Sequence, residues 1–156
     1  MTSLENNDAS RQPVEHARER LMQAYLLTSH GRLEEALRIC EEVSSALPSH
    51  AMAPTLKGAI LIAAGQPQEA LKHLAKVCRR HPDEVLTRLY FCEACFLSGR
   101  VGRGLKELGR LDHDELADTP WEEFARSLKE VWEGVDPTTL PDVIVVPLEA
   151  DVPGED

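Results

Sequence analysis

The chain has 156 residues, 27 acidic against 17 basic for a formal net charge of −10, and it is 42% hydrophobic but only 4% aromatic. That length holds one domain with a modest core built from Leu, Ala, Val and Ile. The acidic balance disfavours binding of nucleic acid by the whole chain, and no apolar run approaches the about 20 residues of a membrane span. The polar opening MTSLENNDASRQP lacks the basic start and apolar run of a secretory leader, so a cytoplasmic location is expected.

In chain order, residues 1–13 are expected to form a disordered arm. A first helix follows from Val14 to Ser29, entered through Pro13, and a second from Leu33 to Leu47, stopped by Pro48. A third begins near Ser49 or His50 and contains Pro54, which is tolerated only in a first turn, so this helix starts late or is distorted at its start. A fourth runs from Pro67 to the residue before Pro82, a fifth from Asp83 to Ser98, and a sixth from Val101 to Leu111. A seventh, ending near Gly134, is signalled by Thr119-Pro120-Trp121-Glu122, with Thr119 as cap, Pro120 in the first helical position and Glu122 closing a capping box. Phe124, Leu128 and Val131 are expected to pack inward from it.

These elements repeat. Gly31, Gly65 and Gly99 lie 34 residues apart and open GRLEEALRIC, GQPQEALKHL and GRVGRGLKEL, with Leu37, Leu71 and Leu105 in register. Such a period, with two helices per unit, predicts stacked helical hairpins whose core is continuous only between neighbours. The repeat domain is expected to span residues 14–134.

The copies resemble the tetratricopeptide repeat family from Ala17 to about Asp118. Ala24, Gly58 and Cys92 match one small-residue position of that family, and Ala36, Ala70 and Gly104 match another. Leu27 and Leu61, and Leu74 and Leu108, match its large apolar positions. The family's Trp near the start of the first helix is replaced by Arg20, Pro54 and Arg88. The resemblance implies an all-α solenoid of three helix-turn-helix repeats, closed by a capping helix, with the first helix of each unit lining a concave surface.

By the same resemblance the partner-binding residues are Leu21, Tyr25 and Thr28, then Met52, Thr55, Ala59 and Ile62, then Leu86, Leu89, Glu93 and Phe96. Some of them, Ile62 and Leu86 among them, have filling the hairpin core as an alternative role. Tetratricopeptide domains that clamp acidic chaperone tails use Lys and Asn where Leu21 and Tyr25 stand, so an apolar segment is the expected ligand. A small protein with three such repeats, a terminal helix and an apolar groove is also similar to the chaperones of type III secretion translocators. The third unit, LTRLYFCEACFLSGRVGRGLKEL, carries most of that likeness.

No cofactor is expected. Cys92 and Cys95 form a CxxC, but no second pair has zinc-ligand spacing and their helical setting suits packing. The run Gly99-Arg100-Val101-Gly102-Arg103-Gly104 is glycine-rich yet follows a helix, where a phosphate loop requires a strand. The six histidines show neither a metalloprotease motif nor a nucleophile set, so no enzyme is expected.

Charge is distributed unevenly. Residues 135–156 carry six acids and no base, residues 1–16 carry three acids and Arg11, and the remainder carries 18 acids and 16 bases, giving −6, −2 and −2. Two basic stripes occupy second-in-hairpin helices, one of Lys72, Lys76 and Arg79 and the other of Arg103, Lys106 and Arg110. They form either a solvated face or a secondary surface for an acidic partner. The acidic, Pro-rich segment 135–156 holds a β-branched run, Val143, Ile144, Val145 and Val146, read as a docking segment. Together these features predict an adaptor or dedicated chaperone for an apolar segment of a partner protein, without nucleic-acid or membrane binding. The alternative is a scaffold subunit, or a homodimer, assembled through the convex face.

Overall fold

The computed structural model describes residues 2–111 and 116–133, with only the backbone described for residues 2–11. Segment 135–156, including Val143 to Val146, lies outside the described residues. Seven helices and no strand occur among the described residues: α1 (Thr2–Ser29), α2 (Leu33–Ala46), α3 (Met52–Ala63), α4 (Pro67–Arg80), α5 (Val85–Leu97), α6 (Val101–Gly109) and α7 (Trp121–Trp132). They pair as α1/α2, α3/α4 and α5/α6, α1 and α5 each pack on α3, and α7 closes the stack against α5 and α6.

Hairpin geometry follows from the three periodic glycines. Gly31, Gly65 and Gly99 have φ of 77°, 74° and 81°, a left-handed conformation that L side chains resist. In each turn the residue after the glycine donates its N–H to a carbonyl five residues back: Arg32 to Leu27 at 2.8 Å, Gln66 to Leu61 at 2.9 Å and Arg100 to Cys95 at 2.8 Å. This is the closing bond of a helix terminated by a left-handed residue.

Small residues let the hairpins close. Ala24, Ala36, Ala70 and Cys92 are fully buried, and a Cβ at Gly58 would run into the Leu74 side chain, as one at Gly104 would into the Phe96 ring. Both small-residue positions read from the sequence are therefore points of close helix approach. Thr55 of α3 and Thr87 of α5 join hydroxyls at 2.6 Å inside the stack, which satisfies two buried polar groups at once.

Several helix ends differ from expectation. α1 extends to Thr2 in place of a disordered arm over residues 1–13, since Thr2 to Gln12 contains neither Gly nor Pro and Pro13 lies inside the helix. α3 starts at Met52, which places Pro54 in its first turn as anticipated. The carbonyl of Pro54 accepts a 2.7 Å bond from His73 Nε2 of α4.

At α7 the expected cap is not formed. Pro120 occupies the cap position, the Thr119 hydroxyl donates to the Leu116 carbonyl at 2.6 Å, and Glu122 accepts from the Asp118 N–H at 3.2 Å. Val131 also departs from expectation, being 63% exposed. The buried stripe runs Phe124, Ala125, Leu128, Trp132, so the helical phase carries Trp132 inward and Val131 out.

Candidate functional site

The first helices of the three hairpins stand side by side and leave a shallow apolar groove of about 160 Å³. Tyr25 and Thr28 of α1 form one wall, Leu56, Ala59 and Ala63 of α3 the floor, and Tyr90 and Glu93 of α5 the other wall. Each helix presents these residues at helical spacing: 25 and 28, 56, 59 and 63, 90 and 93. Tyr90 is fixed by a tilted contact with Phe124 of the cap, ring centroids 5.1 Å apart. The Thr28 hydroxyl is turned to its own helix, donating to the Ala24 carbonyl at 2.8 Å.

Glu93 is the groove's one ionisable carboxyl. Burial pushes its pKa up to about 7, because no cation lines the groove to compensate the lost hydration. Burial also raises the Tyr90 phenol, with lesser contributions from Glu93 and Tyr25.

The structure divides the sequence-predicted groove residues. Tyr25, Thr28, Ala59, Ile62 and Glu93 border the groove, with Ile62 itself only 4% exposed. Leu86 and Met52 are half-buried beyond the groove lining. Leu21, Thr55, Leu89 and Phe96 are core residues, which corrects their assignment to a binding surface. Leu89 and Phe96 have no exposed surface because their side of α5 faces α6 and α7, and Phe96 is covered by Trp132. Leu56, Ala63 and Tyr90 also line the groove, beyond the residues the resemblance implies. Tyr90 follows from the spacing 86, 90, 93 on one face of α5.

A larger cleft of about 390 Å³ opens elsewhere, between α4 and α6. Arg79 and Cys78 of α4, Arg88 and Phe91 of α5, and Arg103 and Glu107 of α6 surround it. The two basic stripes thus do not act alike. Arg79 and Arg103 converge on this cleft, whereas Lys72 approaches Glu69 at 4.0 Å and Arg110 pairs with Glu107 at 2.9 Å. Lys76 and Lys106 are exposed. Arg88 joins the cluster from a different helix, which no one-helix stripe reveals.

The cysteines are packing groups. Cys40, Cys92 and Cys95 are fully buried and Cys78 half-buried, all as free thiols. Burial pushes Cys92 up to about 12 and Cys95 up to about 11, which keeps both thiols protonated in the packed helix. No described helix is long and apolar enough to cross a membrane.

Comparison with known proteins agrees with this architecture. Residues 61–127, from the end of α3 into α7, match the tetratricopeptide repeat family. No curated protein sequence is significantly similar to the chain. Among solved structures, the type III secretion translocator chaperone SycD of Yersinia enterocolitica superposes with a TM-score of 0.65 at 15% identity, covering 78% of this chain and 91% of that one. At that identity the likeness is one of fold: an all-α, tetratricopeptide-type solenoid with a helical cap.

Proposed function

We propose that the protein is an adaptor or dedicated chaperone that holds an apolar segment of a partner protein in the groove between α1, α3 and α5. The carrying observation is the groove itself, whose floor of Leu56, Ala59 and Ala63 lies open between two tyrosines. Alanines in the floor leave room for inserted side chains. The tyrosines supply large, rigid contact area at low entropic cost. Exposed apolar surface continues from Tyr25, 62% exposed, along α1 to Met22 and Leu26, 68% and 56% exposed. SycD is a translocator chaperone of this fold, and the same class of task fits this surface.

Selection from a random peptide display library tests the reading. Sequences with spaced aliphatic or aromatic side chains should be enriched, and Ala59→Glu should weaken their binding by about tenfold or more while helicity is retained. Enrichment of hydrophilic sequences indifferent to Ala59→Glu would refute it.

A second reading, self-association, is favoured by Met22 and Leu26 lying one turn apart on the exposed side of α1. Sedimentation of the full chain, alone and with Met22→Lys and Leu26→Lys, distinguishes a dimer through α1 from a monomer with a peptide groove.

A further inference from the structure

The cleft between α4 and α6 is unrelated to the groove. On α5 the groove residues Tyr90 and Glu93 and the cleft residues Arg88 and Phe91 fall on opposite sides of the helix. Three guanidinium groups, of Arg79, Arg88 and Arg103, border the cleft, and none pairs with a carboxylate within 4.0 Å among the described residues. The one acid there, Glu107, is held by Arg110 at 2.9 Å. Arg103 lies over the Phe91 ring, 5.1 Å from its centroid, which orients the guanidinium without neutralising it. Ala75, Cys78 and Pro82 add apolar surface beside the three charges.

Three uncompensated guanidiniums beside apolar surface suit a strand carrying carboxylates between aliphatic side chains, because the planar fork of Arg pairs bidentately with carboxylate. The chain's own sequence contains such a pattern. Residues 135–156 carry six acids and no base, and Asp142, Glu149 and Asp151 bracket Val143 to Val146, Pro147 and Leu148.

We propose that this cleft is a carboxylate-binding site whose occupant is segment 135–156 of the same chain. The described chain ends against the helix that carries one side of the cleft. Glu133, the last described residue, borders a hollow with Leu105, Leu108 and Gly109 of α6, the helix whose Arg103 and Glu107 border the cleft. From there to Glu149, 16 residues reach about 50 Å when extended, enough to cross one helix. A covalent tether of this length holds the acids at an effective concentration on the order of millimolar, so weak, salt-sensitive ion pairs suffice.

Photocrosslinking of the full chain tests this, with p-benzoylphenylalanine installed at Val145 in one protein and at Leu148 in another. Intramolecular crosslinks to Ala75 to Pro82 of the α4 side or to Arg103 to Glu107 of α6 are expected at low salt. Their yield should fall by roughly tenfold in Arg79→Gln/Arg88→Gln/Arg103→Gln, whose circular dichroism should stay unchanged, and likewise in Asp142→Asn/Glu149→Gln/Asp151→Asn. Crosslinks to Tyr25, Ala59 or Tyr90 would assign the segment to the groove and overturn the cleft proposal. Dimer-mass crosslinks would make a second copy the occupant, and an absence of crosslinks would remove the segment from the surface altogether. The last three results each refute the proposal.

Discussion

Phe96 of α5 stacks on Trp132 of α7 with ring centroids 5.2 Å apart and planes inclined by 10°. This contact fastens the cap to the last hairpin, and the same Phe96 ring occupies the space that a Cβ at Gly104 would need. One aromatic side chain thus joins α5, α6 and α7. Phe96→Ala should cost about 3–5 kcal/mol by removing a fully buried ring and leaving a cavity. Trp132→Ala should cost less, since Trp132 is half-buried. Urea denaturation of both variants checks the order, and equal losses would mean that the cap is not anchored by this pair.

Two glycines of α6 form an internal control. A Cβ at Gly102 meets nothing within 4 Å, so Gly102→Ala should stabilise by about 0.5–1 kcal/mol through helix propensity. Gly104→Ala gains the same propensity but forces Phe96 to move, and overpacking of about 1–3 kcal/mol should make it destabilising. Opposite signs in thermal denaturation are expected.

At the hairpin turn, Gly65→Ala meets open space yet must adopt a φ of 74°. The expected loss is about 1–2 kcal/mol, arising from the backbone alone. Gly65→Asn, which tolerates the left-handed region better, should recover part of it in the same melting assay.

What the sequence made legible was whatever is encoded locally. The glycine period fixes the hairpin turns, and the small residues at Ala24, Ala36, Gly58, Ala70, Cys92 and Gly104 mark close approaches, because each constraint acts on one backbone position. Side-chain facing was less legible. Leu89 and Phe96 lie one or three residues from the groove residues Tyr90 and Glu93, a rotation that one sequence does not resolve on a helix as apolar as α5, with eight buried residues. The same uncertainty exchanged Val131 for Trp132 on α7. The arginine cleft was half visible as two stripes, and Arg88 joins them only through the packing of α4 and α6 on α5.

Glu93 gives the groove a pH dependence with a definite sign. Its pKa is raised by burial from 4.5 to about 7, so below about pH 4.5 the carboxyl is protonated in both folded and unfolded chains and imposes no penalty. As pH rises through about 7 the folded chain must hold an ionised carboxylate beside Tyr25 and Tyr90 with no cation lining the groove, and stability should fall by on the order of 3 kcal/mol across that interval. Glu93→Gln should flatten this portion of the stability profile and be the more stable protein at pH 8. An apolar peptide covering Glu93 removes it further from water and favours the protonated form. Binding should therefore take up a proton and weaken as pH passes 7, and Glu93→Gln should abolish that dependence. Calorimetric titrations of a display-selected peptide at pH 6 and pH 8, in buffers of different ionisation enthalpy, measure the proton uptake directly. A binding constant indifferent to pH in the wild-type chain would mean that the ligand does not cover Glu93.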